Sequence, residues 1–341
     1  MAYDLRMETE PRQDETMAPW PLPPQASATP GAGAGPPPLP APWDAPPAAG
    51  MVPGEPVPPK PRIWTVVLTT LLAPVAVVAM SAFGFVVLSA PRLVRGQAID
   101  LEIGSTPWGM ATLVHFSHGA MILLAGGAAL ISPRPWRERL GLVRPRLPWR
   151  MMVPCLVGTM ATGTLGMLVL ALFFHAPSPG LLEVLAVQSA FRGPSLLYGI
   201  LTFGLFVGFA EELFFRGYLQ TRLLRRWRPL PVFLVVNLLF GLAHIDPHHM
   251  VTTFILGLWL SVLCWRAHSV WPAVICHAGY NAFVVVTSSL ADPPDLGFTY
   301  ASLFADTGPV SLAWYLLALA CLAGSALVLA RTRIPDAPVV G

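Results

Sequence analysis

A cluster of charged residues, positions 211–216, lies inside a long apolar run of the chain. An acidic side chain at the centre of a membrane helix costs about 2.5–3.5 kcal/mol, so such groups normally face a protein interior and serve a function. Glu212 and Arg216 are four residues apart, which is the spacing of an ion pair on one helix face. Glu211 is rotated from that pair by about 100°. It offers a second carboxylate, in a low-dielectric setting that suits general-base chemistry.

Two further polar pairs have the same spacing of four residues: Phe240 with His244, and His277 with Asn281. Residues four apart lie on one face of a helix, so each pair projects from its helix toward a common interior. Together with Glu211, these segments offer an acid, two imidazoles and an amide. Hydrolysis of a peptide bond by water needs such a set, namely a base for the water, a group that holds it, and donors for the oxyanion.

The elements that must position these residues are membrane helices. Hydrophobic residues make up 54% of the 341-residue chain, charged residues make up 11%, and the mean hydropathy is +0.60. A soluble domain has about 25% charged residues. Eight apolar stretches are each close to the ~20 residues that span a bilayer, at 63–90, 107–132, 151–174, 196–221, 230–245, 250–266, 270–289 and 310–330. This pattern predicts an all-α, polytopic membrane helix bundle of about eight transmembrane helices over residues 63–333.

The fifth stretch is the weakest of the predicted spans. It is short, and it ends at residues 245–249, which are typical of a break or a re-entrant turn at the membrane edge. Residue counting also places His244 about 20 Å along the fifth helix and His277 only about 10 Å into the seventh. Helix tilt, a fifth helix that starts within the membrane, or uneven helix ends would each close this difference in depth.

The N-terminal residues 1–62 are rich in Pro, Ala and Gly and lack apolar periodicity, which predicts a disordered tail. Such a tail is a solvated tether or a docking peptide for a proline-binding partner. Arginines cluster in alternate connections, with six between positions 134 and 150 and four between 222 and 228. Because basic loops stay in the cytoplasm, we predict a multi-pass protein of the cell (inner) membrane with both termini, and the tail, cytoplasmic.

The remaining charged and reactive residues point to no second function. The net charge of +3 comes mainly from arginines between apolar segments, without a lysine-rich stripe or a basic and aromatic surface, so we expect no nucleic acid partner. The cysteines lack paired spacing and are predicted to be small core residues. They are Cys155, Cys264, Cys276 and Cys321.

Four further histidines lie in or beside predicted spans. His115 and His118 are three residues apart in the second stretch, without an acidic residue in the same helix, so they are predicted to be interior or interfacial. His248 and His249 follow Pro247 at a predicted membrane edge. An interfacial role is favoured for this second pair, and an additional metal ligand or a substrate gate is the alternative.

The three motifs resemble those of the CPBP family (CAAX protease and bacteriocin-processing, Abi-type), a family of intramembrane endopeptidases. They read Glu211-Glu212-x-x-x-Arg216, Phe240-x-x-x-His244 and His277-x-x-x-Asn281, in the order that the family has. The resemblance covers about residues 190–290, which would form the catalytic core. It implies a helical bundle with a cavity open to the cytosolic side, in which water attacks a peptide bond of a membrane-associated protein or peptide.

The resemblance also implies a role for each motif residue. Glu211 would be the base that activates water, with His244 helping to position or activate it. His277 and Asn281 would stabilise the oxyanion. Glu212 and Arg216 would be structural partners behind this site, and Phe240 would form the wall beside His244.

A metal ion is the open alternative in this mechanism. Glu211, His244 and His277 could form a carboxylate and two-imidazole site like that of catalytic zinc enzymes. The H-E-x-x-H helix of soluble zinc proteases is absent from the chain, and the resemblance permits a glutamate and histidine mechanism without an ion. We therefore predict a metal-free enzyme, with zinc as the alternative.

Two other classes of function remain open from the sequence. Buried acids and histidines also form proton relays, so a proton-coupled membrane transporter is one alternative. A non-catalytic membrane scaffold with a protease-like fold is the other. The expected partners are a membrane-associated substrate and the lipid bilayer, and no residue distinguishes a prenylated substrate from other membrane-associated substrates.

Overall fold

The structure, a computed structural model, describes residues 62–131, 135–174, 178–290 and 309–334. Within these ranges the chain contains helices and no strand, which confirms the predicted all-α fold. The predicted tail lies almost wholly outside the described residues. The main helices are α1 Ile63–Val94, α2 Pro107–Leu130, α3 Met152–Phe173, α4 Pro179–Ser189, α5 Ser195–Leu223, α6 Pro229–Leu242, α7 Pro247–Ala267, α8 Trp271–Leu290 and α9 Pro309–Arg331.

Seven of these helices are long and apolar enough to cross a membrane, and the chain is accordingly a multi-pass membrane protein. α6 is the exception among the predicted spans. Its 14 residues measure about 21 Å, which is short of the ~30 Å hydrocarbon layer. The fifth stretch is thus the weakest span, as predicted. In the described part of the chain, seven of the eight predicted spans correspond to long helices, and the fifth corresponds to the short helix α6.

The bundle is arranged around α5. Half of the apolar window of α5 is buried inside the protein, against 6% for α1 and 17% for α9. α5 packs against α8 and α2, while α3 packs against α7 and α9, and α6 against α7. Within α5, two π-helical segments, Ile200–Phe206 and Leu213–Gln220, enclose the α-helical turn Val207–Glu212. Such π segments occur frequently at functional sites. These two flank the turn that carries Glu211 and Glu212.

Local sequence signals set where several helices begin. α2, α4 and α7 each have a proline in the first turn, where its missing N–H leaves no hydrogen bond unmade. The residues before them, Thr106, Ser178 and Asp246, accept hydrogen bonds from backbone N–H groups of that turn. Burial raises the pKa of Asp246, but hydrogen bonds from the Ser178 side chain and from the His249 and His248 backbone lower it, so the pKa lies below its ordinary value. The carboxylate therefore stays ionised at the positive end of α7.

The chain reverses sharply between α6 and α7. Ile245 has a φ of 61°, in the left-handed region that a β-branched residue rarely adopts. It directly follows His244, and Asp246 then caps the N-terminus of α7. This confirms the predicted break at residues 245–249.

Helix α4 is an element that the sequence interpretation did not predict, because the predicted stretches leave residues 175–195 unassigned. The helix has only 11 residues. A membrane span needs ~20 residues, so the hydropathy pattern does not indicate this helix. Its signals are local ones, a Ser178 cap and Pro179 at the start. α4 packs against α8 and, as described below, contributes to the wall of the candidate site.

Candidate active site

Glu211 lies at the centre of the bundle, in the α-helical turn of α5, with 7% of its surface exposed. Its Oε1 atom lies 3.3 Å from Nε2 of His118 and 3.7 Å from Nε2 of His244. Its Oε2 atom lies 3.7 Å from Nε2 of His277. The structure thus brings the predicted Glu211, His244 and His277 together, and it adds a third histidine from α2.

The three imidazole rings have the same orientation relative to Glu211. Each ring donates its Nδ1 hydrogen to an oxygen that can only accept. These pairs are His118 with the Val114 carbonyl (3.0 Å), His244 with the Phe240 carbonyl (2.8 Å) and His277 with the Glu212 carboxylate (2.9 Å). Each Nε2 atom consequently faces Glu211. A direct hydrogen bond between Nε2 and the carboxylate requires one more proton, either on the ring or on the carboxyl group.

Glu212 and Arg216 form the predicted ion pair, with 2.8 Å between nitrogen and oxygen and no exposed side-chain surface on either residue. The same Glu212 oxygen accepts the hydrogen bond from His277. Arg216 also donates to the Asn237 side chain at 2.7 Å and to the Gly257 carbonyl at 3.1 Å. The pair therefore connects α5 to α6 and α7 and also holds the ring of His277.

Phe240 is fully buried on α6 and lies between the ion pair and the histidines. Its ring centroid is 4.4 Å from the Arg216 guanidinium carbon, a cation–π contact. The rings of His244 and His277 lie edge-on to it, at centroid distances of 5.0 and 6.0 Å. The residue is a wall beside His244, as the motif implied.

Small residues allow α5 and α8 to pack closely enough to bring His277 to the two glutamates. A Cβ atom added at Gly204 would lie 3.2 Å from Cβ of Ala282, and one added at Gly208 would lie 3.0 Å from the backbone nitrogen of Ala278. Glycine and alanine at such spacing let helix backbones approach one another. His277 directly precedes Ala278, so this packing sets its distance from Glu211.

Replacing Gly208 by valine is therefore expected to destabilise the protein by about 1–3 kcal/mol, as overpacking does. The clash is with backbone atoms of Ala278, which cannot move without shifting α8. Unfolding in detergent, followed by loss of helical signal, measures the effect. The control is Gly127→Val, at a helical position with open space around it. Equal stability of the two variants would contradict the close packing of α5 on α8.

A cavity of about 280 Å³ lies beside Glu211. Its polar lining residues include His118, Glu211, His244, His248, His249, His277 and Asn281. Most of its other lining residues are apolar, among them Met110, Met167, Leu185 and Val284. A largely apolar cavity with a few convergent polar groups is the usual form of a ligand or active site.

Asn281 lies one turn beyond His277 on α8 and lines the same cavity. Its amide nitrogen donates to the Phe203 carbonyl at 3.3 Å. An amide nitrogen carries two hydrogens, so the second one is available to an acceptor in the cavity.

The structure adds an acidic partner for His118, Glu211, to its predicted interior or interfacial role. The acidic partner that is missing from its own helix comes from α5 instead, and sequence spacing within one helix cannot reveal such a pair. His115 stacks on the Phe206 ring with a centroid distance of 4.8 Å and is interior, as predicted. The available signal for His118 was its ionisable side chain in an apolar span, which is by itself a reason to suspect function.

His248 and His249 also line the cavity, and their predicted interfacial role stays a prediction. His248 packs on the Phe174 ring at a centroid distance of 4.2 Å, and His249 lies 6.1 Å from the ring of His244. The alternative role of a substrate gate stays a prediction.

The difference in depth between His244 and His277 is closed in the structure, since both rings lie 3.7 Å from the Glu211 carboxylate. The helix α6 is shorter than a full span, so residue counting from a membrane face gives a wrong depth for His244.

A metal ion was the alternative for this cluster. Carboxylate and imidazole are ligand types that zinc accepts. Within the ranges that the structure describes, no group of three or more His, Cys, Asp or Glu side chains is arranged to hold a metal ion. Glu211 and His118 are within direct hydrogen-bonding distance. The metal-free mechanism and the zinc alternative both stay predictions.

Comparisons with known proteins find a similarity in the central part of the chain. Searches against curated proteins and against solved structures give no significant match. A family model does match, and its description is "Type II CAAX prenyl endopeptidase Rce1-like". The matched residues, 193–283, contain all three motifs and the segments α5 to α8 that place them around Glu211. This match confirms the predicted resemblance: residues 193–283 are similar to the Rce1-like family of type II CAAX prenyl endopeptidases.

Proposed function

We propose that this protein is an intramembrane endopeptidase that hydrolyses a peptide bond in a membrane-associated protein or peptide. One observation carries the proposal. Glu211, His244 and His277 come from three separate segments of the endopeptidase-like domain and converge on one buried cavity. Ionisable side chains are energetically costly to bury in a membrane protein, and those that are present normally serve a function.

The proposed reaction starts with a water molecule held by Glu211 and His244. When the His244 ring carries one hydrogen, that hydrogen lies on Nδ1 and is donated to the Phe240 carbonyl, so Nε2 can accept a hydrogen bond from the water. Glu211 takes the second hydrogen of the water as a proton while the water oxygen attacks the peptide carbonyl carbon. The resulting tetrahedral intermediate carries a negative oxygen. Its collapse breaks the carbon–nitrogen bond, and Glu211 gives the proton to the leaving amine.

The oxyanion would be stabilised by His277 and Asn281. Since Nδ1 of His277 already donates to Glu212, its Nε2 can act as a donor only when the ring is a cation. Two carboxylates lie within 3.7 Å of the two ring nitrogens, Glu211 beside Nε2 and Glu212 beside Nδ1. Asn281 supplies its second amide hydrogen. Preorganised donors of this kind typically contribute on the order of 10²–10³-fold to the rate.

A cleavage screen tests this function. Purified protein in vesicles is incubated with a membrane protein extract, and new peptide termini are identified by mass spectrometry. We expect termini that the wild type produces and that a Glu211→Ala variant does not. Proton-driven flux across sealed vesicles without any cleavage would instead favour the transporter. Biological activity that is retained in Glu211→Gln would favour the scaffold.

We expect cleavage to continue in the presence of a metal chelator. In the proposed reaction the proton moves between water, Glu211 and the leaving amine, and no metal takes part in any step. The rate is measured before and after prolonged dialysis against chelator, and again after addition of Zn²⁺. Loss of activity that Zn²⁺ restores would overturn the metal-free mechanism and leave the endopeptidase assignment intact.

The location and orientation of the protein are part of the same proposal. We propose the cell membrane as its location, with both termini in the cytoplasm, because the arginine-rich connections alternate along the chain.

A further inference from the structure

We propose that His118 is a positioning residue for Glu211, an inference that rests on the proposed role of Glu211 as the base. His118 belongs to α2, outside the matched residues 193–283, so none of the three motifs includes it. In the structure it is nonetheless the histidine nearest to the carboxylate, at 3.3 Å against 3.7 Å for His244 and His277.

The ring of His118 is held in place from behind. Its Nδ1 atom lies 3.0 Å from the Val114 carbonyl oxygen, one helical turn earlier, and 3.1 Å from the Ser117 hydroxyl. With Nδ1 as the donor to Val114, the opposite Nε2 atom faces Glu211 Oε1 within hydrogen-bonding distance. A ring that carries a hydrogen on each nitrogen donates to Val114 from Nδ1 and to Glu211 from Nε2, so a ring fixed at one nitrogen fixes the carboxylate at the other.

Fixing Oε1 matters because the two carboxylate oxygens have different neighbours. Oε1 lies beside His118 and His244, and Oε2 lies beside His277. Rotation of the carboxylate would exchange these neighbours and move the base away from the water that it must deprotonate. A misplacement of about 1 Å can cost on the order of 10²-fold in rate.

Glu211 is the acidic side chain that lies within hydrogen-bonding distance of His118. The other ionisable side chains that converge on Glu211 are His244, from the turn after α6, and His277, from α8. His115, on the same helix, stacks on Phe206 and hydrogen-bonds to the Ala111 carbonyl. His118 also lines the cavity itself. It thus couples a helix outside the matched domain to the centre of the proposed site.

Two substitutions that each introduce an amide side chain distinguish the positioning of Glu211 by His118 from simple packing. In His118→Gln the amide nitrogen takes the place of Nε2 and reaches Glu211. In His118→Asn the amide takes the place of Nδ1 and does not. We expect His118→Asn to lower kcat by on the order of 10- to 100-fold with KM within about twofold of the wild type, and His118→Gln to restore kcat to within about threefold.

The control is His115→Asn, on the neighbouring turn of α2, which should leave kcat unchanged. Wild-type kcat in His118→Asn, or equal losses in His118→Gln and His118→Asn, would overturn the inference. A fall in kcat of His115→Asn as large as that of His118→Asn would also overturn it, because the effect would then belong to the helix.

A second readout does not depend on cleavage. The midpoint of thermal unfolding, Tm, is measured for His118→Asn in the wild-type background and in a Glu211→Gln background. We expect the substitution to lower Tm less in the second background, since the charged partner is already gone. Equal Tm changes would refute the contact. A wild type that cleaves no substrate would refute the proposed function, whatever this Tm comparison gives.

Discussion

Replacing Glu211 by glutamine is expected to lower kcat by on the order of 10³-fold. Glutamine has the size of glutamate and can still hydrogen-bond to the surrounding histidines, but it cannot take a proton from water. Loss of a general base typically costs about 10²–10⁴-fold. The measurement is kcat and KM of the purified variant on a substrate identified by the cleavage screen.

The control for this prediction is Glu102→Gln, an exposed glutamate in the connection between α1 and α2. It removes the same charge from the chain far from the cavity and should leave kcat unchanged. Activity of Glu211→Gln within tenfold of the wild type would mean that another group activates water. It would also remove the reason for placing the reaction at this carboxylate.

Replacing Arg216 by methionine is expected to destabilise the protein by about 3–5 kcal/mol, the cost of removing one partner of a buried ion pair. The substitution leaves the Glu212 carboxylate buried with a charge and without its guanidinium partner. The second oxygen of Glu212 already has no hydrogen-bond partner among the described residues. The measurement is the free energy of unfolding in detergent, by titration with denaturant.

Two comparisons test whether the loss comes from the unpaired charge. Arg92→Met breaks an ion pair with Asp100 whose side chains are 42% and 39% exposed, and it should cost at most about 1 kcal/mol. The double variant Glu212→Gln with Arg216→Met should recover part of the stability, because no buried charge is left over. An Arg216→Met variant as stable as Arg92→Met would contradict the account of this network.

The sequence predicted those features that depend on spacing within one segment. Hydropathy and length indicate the long helices, and the predicted ends of α3 and α8 differ from the observed ones by one residue. The ion pair of Glu212 with Arg216 follows from their spacing of four residues on one helix. Motif order also identified Glu211, His244 and His277 as members of one site.

The features that sequence interpretation missed depend on contacts between helices that are distant in the chain. His118 and Glu211 are 93 positions apart, and their contact exists only because α2 packs against α5. Helix α4 is too short for a hydropathy search, and its contribution to the cavity wall depends on its docking against α8. The dual role of Glu212, toward both Arg216 and His277, likewise requires the close packing of α5 and α8.

The origin of the oxygen in the new carboxyl group shows whether Glu211 activates the attacking water. The wild type and Glu211→Gln are reconstituted with a cleaved substrate in water labelled with heavy oxygen, and the product termini are analysed by mass spectrometry. We expect labelled C-termini with the wild type and none above background with Glu211→Gln. Cleavage without label, or equal labelling by both proteins, would contradict hydrolysis by a water molecule that Glu211 activates.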